Sequence, residues 1–140
     1  MNIFETFREK WKEQKLDVHP PIEEQSITKC FLSFNVTPSS DLLLLYGTLN
    51  GKDCMDDEHF RLWSINEVYE ENGSDRELAR TNKYGVLFAD YCVNCWCYRI
   101  NKAGEVFVDY FAEEKEPEIR AKSLKEFFEL MAKDPDEALL

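Results

Sequence analysis

The 140-residue sequence lacks the segments that would carry a protein into or across a membrane. Met1 is not followed by the basic, apolar and small-residue regions of a signal peptide, so we expect a cytoplasmic protein. The longest purely apolar run, Leu42 to Tyr46, is much shorter than the roughly 20 residues that a membrane-spanning helix requires. The sequence therefore predicts a soluble protein with no membrane partner.

Residues that perform nucleophilic catalysis or hold nucleotides are also scarce. The only histidines are His19, beside two prolines, and His59, and neither has the sequence context of a catalytic triad. The five glycines are isolated, so no glycine-rich phosphate-binding loop is present. The abundant carboxylates leave an acid-base pair of the glycosidase type open. We expect a protein that is not an enzyme, with no catalytic residues and no cofactor.

The cysteines are the remaining candidates for chemistry, at Cys30, Cys54, Cys92, Cys95 and Cys97. In a chain without an export signal they are expected to be reduced thiols. Three thiols at short spacing raise the alternative of a zinc site. On a strand, however, Cys95 and Cys97 would share a face while Cys92 lies near the preceding turn, and no second pair of matching spacing exists. This pattern favours small buried apolar residues over a metal site, which stays open.

Charge is plentiful and mostly negative, with 28 acidic and 17 basic residues and a net charge of −11. Such a surface repels nucleic acid and attracts cationic partners in a salt-dependent way, although it also serves solubility alone. We expect a protein partner bound inside a charged rim, and no nucleic acid. The candidate rim residues lie in an acidic loop and a following helix: Asp53, Asp56, Asp57, Glu58, Glu67, Glu70 and Glu71.

The first half of the chain reads as helices around short strands. Apolar residues at helical spacing predict an amphipathic helix from Ile3 to about Leu16, and residues 27–36 predict a short strand from their β-forming composition. Thr37 and Pro38 predict the cap and first turn of a buried helix that ends before Gly51. A short strand over Phe60–Trp63 and a capping box starting a helix at Ser64 follow.

The second half alternates like a hairpin sheet. Strands are predicted over 85–90, 94–100 and 105–111, with a turn at 101–104. Asp90 and Asp109 lie in these apolar strands, where an unpaired charge is costly, so each is expected at a strand end or edge with a hydrogen-bonding partner. After an acidic loop at 112–118, a second capping box at Ser123 begins the last helix. We expect one domain, 1–140, of the α+β class, with a central, mainly antiparallel sheet flanked by helices.

Several of these segments, taken in order, resemble the SUKH superfamily over residues 30 to 135. The segments that carry the resemblance are the helix begun at Pro38 and ending in Tyr46-Gly47-Thr48-Leu49-Asn50-Gly51, Phe60-Arg61-Leu62-Trp63 with Ile65-Asn66-Glu67-Val68, Leu87-Phe88-Ala89-Asp90-Tyr91, Trp96-Cys97-Tyr98-Arg99-Ile100 with the Gly104 hairpin, and the Ser123–Met131 helix. The chain departs from the family at Lys52, where a further glycine often follows Asn-Gly, and in the cysteines on either side of Trp96.

The resemblance implies a SUKH-like fold and a function through protein binding. Bacterial members are immunity proteins against secreted toxins, and fungal relatives regulate cell-wall synthesis. We therefore expect an immunity protein that binds and neutralises a basic, nuclease-type toxin. The alternative is a regulatory protein-binding module of the cell-wall type, with no toxin partner.

Overall fold

A five-stranded antiparallel sheet forms the centre of the molecule, with its strands in chain order from β1 to β5. The computed structural model describes all 140 residues. The elements are α1 (Ile3–Glu13), α2 (Glu24–Leu32), α3 (Ser40–Tyr46), β1 (Phe60–Leu62), α4 (Ile65–Asn72), α5 (Leu78–Tyr84), β2 (Val86–Tyr91), β3 (Trp96–Ile100), β4 (Val106–Asp109), β5 (Glu118–Ala121), α6 (Leu124–Lys133) and α7 (Pro135–Leu139). The predicted α+β class, with a central antiparallel sheet and flanking helices, is confirmed.

One face of the sheet carries an aromatic core. Phe60, Phe88 and Tyr98 point from neighbouring strands toward α6, where each ring contacts Phe127 at centroid distances of 5.4 to 6.3 Å. Phe128 continues this core and meets rings from α1 edge-on at 5.1 Å. Large rings bury much apolar area and contribute further through edge-to-face contacts. The amphipathic stripes of α1 and α6 therefore fix these helices on this face.

The other face of the sheet carries a row of mostly polar side chains that are aligned across the strands. Arg61, Asp90, Cys97 and Asp109 stand directly opposite one another on four successive strands. Helices α4 and α5 pack against β2 on this side. Asp90, Cys97 and Asp109 are buried, so this face requires charge pairing that the first face does not.

The predicted helix starts at Ser64 and Ser123 are confirmed. The Ser64 hydroxyl accepts a hydrogen bond from the Glu67 N–H at 3.3 Å, and the Ser123 hydroxyl accepts one from the Glu126 N–H at 3.1 Å. Each hydroxyl satisfies a donor that the first helical turn leaves free.

The strand predicted over 27–36 is wrong, because these residues belong largely to α2. Ile27, Cys30 and Phe31 are buried at the i, i+3 and i+4 spacing of one helix face. The cap predicted at Thr37 is also wrong. Ser39 caps α3 by accepting from the Leu42 N–H at 3.3 Å, so Pro38 precedes the helix.

Three short elements were not predicted, namely α5, β5 and α7. The sequence of α5 carries little apolar periodicity, and only Thr81 of that helix is buried. Strand β5 begins at Glu118, the last residue of the predicted 112–118 loop. Asp134 and Pro135 end α6 as expected, but Asp134 then caps α7 by accepting from the Glu137 N–H.

Candidate protein-binding surface

The predicted acidic rim divides into residues that face solvent and one that does not. Asp53, Asp57, Glu70 and Glu71 are exposed, and Glu58 and Glu67 are partly exposed. Asp56 is only 6% exposed, so its prediction as a partner-binding residue is wrong. Its carboxylate accepts hydrogen bonds from the Trp11 indole N–H at 2.8 Å and from the backbone N–H groups of Glu58 and Phe60 at 2.9 and 3.0 Å. Asp56 therefore holds the acidic loop to the core.

Lys52 supports the same loop from beneath and is 1% exposed. Its ammonium donates to the carbonyls of Cys54, at 3.1 Å, and Phe60. It also lies 4.4 Å from the centroid of the Trp11 ring, in a cation–π contact. Burial lowers the pKa of Lys52 to about 8, and nearby Asp56 only partly offsets this effect. Lys52 thus holds the segment from Cys54 to Phe60 in place from beneath.

The exposed acids differ in whether a base already neutralises them. The Asp53 carboxylate lies 2.7 Å from His19 Nε2, and Asp57 lies 3.7 Å from the Lys10 ammonium. Glu67 forms a bidentate pair with Arg61, with both N···O distances 2.8 Å. Glu58, Glu70 and Glu71 have no ion pair within the chain. These three carboxylates are the ones most available to a cationic partner.

Asp90 lies next to the end of β2 and is surrounded by hydrogen-bond donors. Its side chain is fully buried, accepts hydrogen bonds from the Trp63 indole N–H at 2.9 Å and from the Asn94 N–H at 2.8 Å, and forms an ion pair with Arg61 Nε at 3.0 Å. The expected hydrogen-bonding partner is therefore present. The contact with Asn94 holds a turn in which residues 92–94 all have positive φ. Val93 lies at the centre of this turn and is 71% exposed.

Asp109 plays a parallel role two strands away. It accepts from Arg99 Nε at 2.7 Å, from Arg80 at 2.9 and 3.0 Å, and from the Phe111 N–H at 2.8 Å. Burial alone would raise the pKa of Asp109, but these hydrogen bonds outweigh it and hold the pKa below its usual range. Phe111 has a φ of 59°, uncommon for a bulky residue, and remains 37% exposed.

Arg99 is the buried cation of this second network and is fully buried. Besides Asp109, it donates to Glu77 at 3.2 Å and to the Gly85 carbonyl at 2.9 Å. These bonds tie α5 and the start of β2 to β3. A buried charge is tolerated when its donors are satisfied in this way. These bonds hold α5, β2 and β3 together on the polar face of the sheet.

A cleft of about 380 Å³ opens on this polar face of the sheet, lined by Trp63, Glu71, Arg76, Glu77, Leu87, Asn94, Cys97 and Phe111. It contains apolar rings, an exposed carboxylate at Glu71 and the exposed guanidinium of Arg76. Apolar residues surrounded by charge are the usual composition of a protein interface. The structure thus places Glu71 of α4 in the same cleft as Phe111, which sequence reasoning missed because nothing in its local pattern indicates a left-handed residue.

The residues considered for catalysis or metal binding form no triad and no metal-binding cluster. Neither histidine is hydrogen bonded to a cysteine thiol, and all five cysteines are free. Of the three cysteines expected to be buried, Cys97 is buried, but Cys92 is partly exposed and Cys95 is exposed, so the prediction is wrong for these two. Cys30 is buried and Cys54 is exposed. Cys95 belongs to the turn with Cys92 and not to β3, which begins at Trp96. No group of three or more potential ligand side chains is close enough to hold one metal ion.

Comparison with protein-family models and with curated proteins found no match to this chain. None of the seven helices combines the length and the apolar character that a bilayer-spanning segment requires.

Proposed function

We propose that this chain is a SUKH-type immunity protein that binds and neutralises a basic, nuclease-type toxin, and that it performs no catalysis itself. The observation that carries the proposal is the unpaired Glu71 of α4, which lines a cleft together with the partly exposed ring of Phe111. An aromatic residue inside a charged rim is the arrangement that concentrates binding energy in protein interfaces. The order of the motifs in the sequence supports a relation to the SUKH superfamily. The toxin partner is inferred from the role of the bacterial members of that superfamily.

The backbone at the cleft favours a binding role over a purely structural one. Val93 and Phe111 both adopt left-handed conformations, and in each case a buried aspartate stabilises the strained segment. Strain of about 1 to 3 kcal/mol per residue persists where the surroundings over-determine it, and it concentrates at functional sites. Two exposed apolar side chains held in this way provide preorganised contacts for a partner.

The charge of the surface supports a basic partner. Glu58, Glu70 and Glu71 lack internal partners, so a cationic surface would gain their attraction without first breaking an ion pair. Attraction between exposed charges accelerates association and weakens as salt screens it, with a Debye length of about 10 Å at 0.1 M. A stable inhibitory complex would bury on the order of 1,200 to 2,000 Å² in total.

The test uses the toxin-like protein encoded next to this chain's gene. Cells producing that protein are expected to survive only when this chain is also produced, and the purified pair is expected to form a complex that weakens at high salt. Replacing Glu70 and Glu71 together by Lys should lower the affinity at least tenfold and abolish protection. The matched control replaces Glu13 and Glu129, exposed acids on α1 and α6, with the same change in net charge.

The outcomes separate the possibilities. Loss of binding in the α4 variant alone supports the proposed surface, whereas equal loss in both variants would mean that net charge and not this surface drives association. If the wild-type chain neither binds nor protects, the immunity assignment is wrong. Stable binding to a partner that is not toxic would instead identify the regulatory type of module.

A further inference from the structure

The turn between β2 and β3 brings two cysteine thiols together. Cys92, Val93 and Asn94 have φ values of 49°, 54° and 62°, and the Cys95 N–H donates to the Tyr91 carbonyl at 3.0 Å. This is one turn of left-handed helix, in which Cα atoms three residues apart lie about 5 Å from each other. That separation is within the roughly 4.4 to 6.8 Å that a disulfide requires.

The side chains follow the backbone into proximity. Cys95 Sγ lies 2.9 Å from the Cys92 carbonyl oxygen, so the thiol folds back over the turn. A hydrogen bond with the Cys92 thiol raises the pKa of Cys95. Cys97 points elsewhere, with its nearest hydrogen-bonding group the Asn94 side-chain oxygen at 3.9 Å. The two turn cysteines therefore form a pair that excludes the third.

Exposure distinguishes this pair from the other thiols. Cys95 is exposed and Cys92 partly exposed, so a small reagent can reach them in the folded protein. Cys30 and Cys97 are buried, which keeps both out of reach of such a reagent, and burial also raises the pKa of each thiol. Cys54 is exposed but has no thiol contact.

We propose that Cys92 and Cys95 are a modification site that forms a reversible intramolecular disulfide by exchange with a small disulfide of the glutathione class. The Cys95 thiol loses its proton, and the thiolate attacks one sulfur of the small disulfide, whose S–S bond breaks and releases one thiolate. The Cys92 thiolate then attacks Cys95 Sγ and releases the second. The two protein thiols lose two electrons and two protons, and the small disulfide becomes two thiols.

This inference is independent of the proposed function, because its readout is chemical. It concerns a turn that also positions Asn94, which lines the cleft and donates to the buried Asp90. The folded turn already places the two cysteines at disulfide spacing and folds Cys95 Sγ back over Cys92, so little backbone rearrangement is needed to close the bond. Because Cys95 is exposed and Cys92 partly exposed, an ordinary thiolate can attack the disulfide and reopen it, which makes the modification reversible.

The experiment incubates the folded protein with oxidised glutathione at about pH 8, blocks the remaining thiols and measures the intact mass. Of the five thiols, Cys92 and Cys95 are expected to be joined with a loss of about 2 Da and to carry no glutathione, whereas any glutathione that the product retains should be on the exposed Cys54. Reduction with dithiothreitol should restore all five.

Serine variants identify the pair. Cys54→Ser and Cys97→Ser should still form the oxidised product, whereas Cys92→Ser and Cys95→Ser should not, and Cys92→Ser should instead retain one glutathione on Cys95. Wild-type protein that accumulates only glutathione adducts, or an internal disulfide that survives in Cys92→Ser or Cys95→Ser, would overturn the proposal.

Discussion

Replacing Lys52 by Met tests whether the buried ammonium destabilises the fold at neutral pH. Burial lowers the pKa of Lys52 from its ordinary value of 10.5 to about 8. The unfolded chain, with the higher pKa, therefore binds more protons than the folded protein between these two pH values. By linkage, the stability of the wild type contributed by this group must rise with pH through that window.

The magnitude follows from the two pKa values. Each unit of pKa difference corresponds to about 1.4 kcal/mol, and the interval from about pH 7 to about pH 9.5 covers only part of the range over which Lys52 loses its proton in the two states. Over this interval Lys52 should add about 2 kcal/mol to the free energy of unfolding. The Met variant has a similar unbranched side chain but no titrating group. It also gives up the donors to the Cys54 and Phe60 carbonyls and the cation–π contact with Trp11, so its stability at any single pH combines opposing effects.

The informative quantity is the difference in unfolding free energy between wild type and Lys52→Met as a function of pH. Urea unfolding followed by tryptophan fluorescence at the two pH values gives this difference. Other titrating groups, such as Cys30 with its raised pKa, lose stability at high pH in both proteins and cancel. The difference should move by about 2 kcal/mol in favour of the wild type as the pH rises.

The control is Lys102→Met, an exposed lysine in the β3–β4 turn, whose difference from wild type should not change with pH. A flat difference for Lys52→Met would show that the ammonium keeps its ordinary pKa in the folded state. That result would refute the argument that burial lowers the pKa of Lys52 by more than the nearby charge of Asp56 raises it.

Three further predictions concern the strained turn and the buried polar groups, and urea unfolding tests each. Val93→Asn should stabilise the protein by about 1 kcal/mol, because Asn tolerates the left-handed region, while Val93→Ile should give no gain. Asp109→Asn should lower the free energy of unfolding by about 3 to 5 kcal/mol, because it weakens the pairing of the fully buried Arg99. Glu77→Gln should lower it by less, because Asp109 still pairs with Arg99. Asn72→Leu should cost at least about 2 kcal/mol by leaving the Leu87 N–H and carbonyl without side-chain partners, and a neutral result would contradict their dependence on Asn72.

Local signals in the sequence were sufficient for much of the fold. The capping serines at Ser64 and Ser123 each satisfy helix donors within a few residues, so no distant contact is needed to place those helix starts. Alternation over 85–111 likewise indicated β2, β3 and β4, because side chains on a strand change face at every residue. Where two local signals competed, as in α2, β-forming composition misled and the helical spacing of Ile27 and Phe31 was decisive.

The candidate surface depended on contacts between residues far apart in the chain. In the sequence, Asp56 is not distinguished from its acidic neighbours. In the fold, its buried carboxylate accepts a hydrogen bond from Trp11, which lies 45 positions away. Phe111 and Val93 reach the surface only because buried aspartates accept the backbone N–H groups of strained segments. The sequence by itself determined α1, α4 and α6, the hairpins of β2 to β4 and the negative charge, since these depend on near neighbours and composition. Only the tertiary structure decided which charges are buried, which are paired and which remain available to a partner, since burial and pairing depend on residues that the fold brings together.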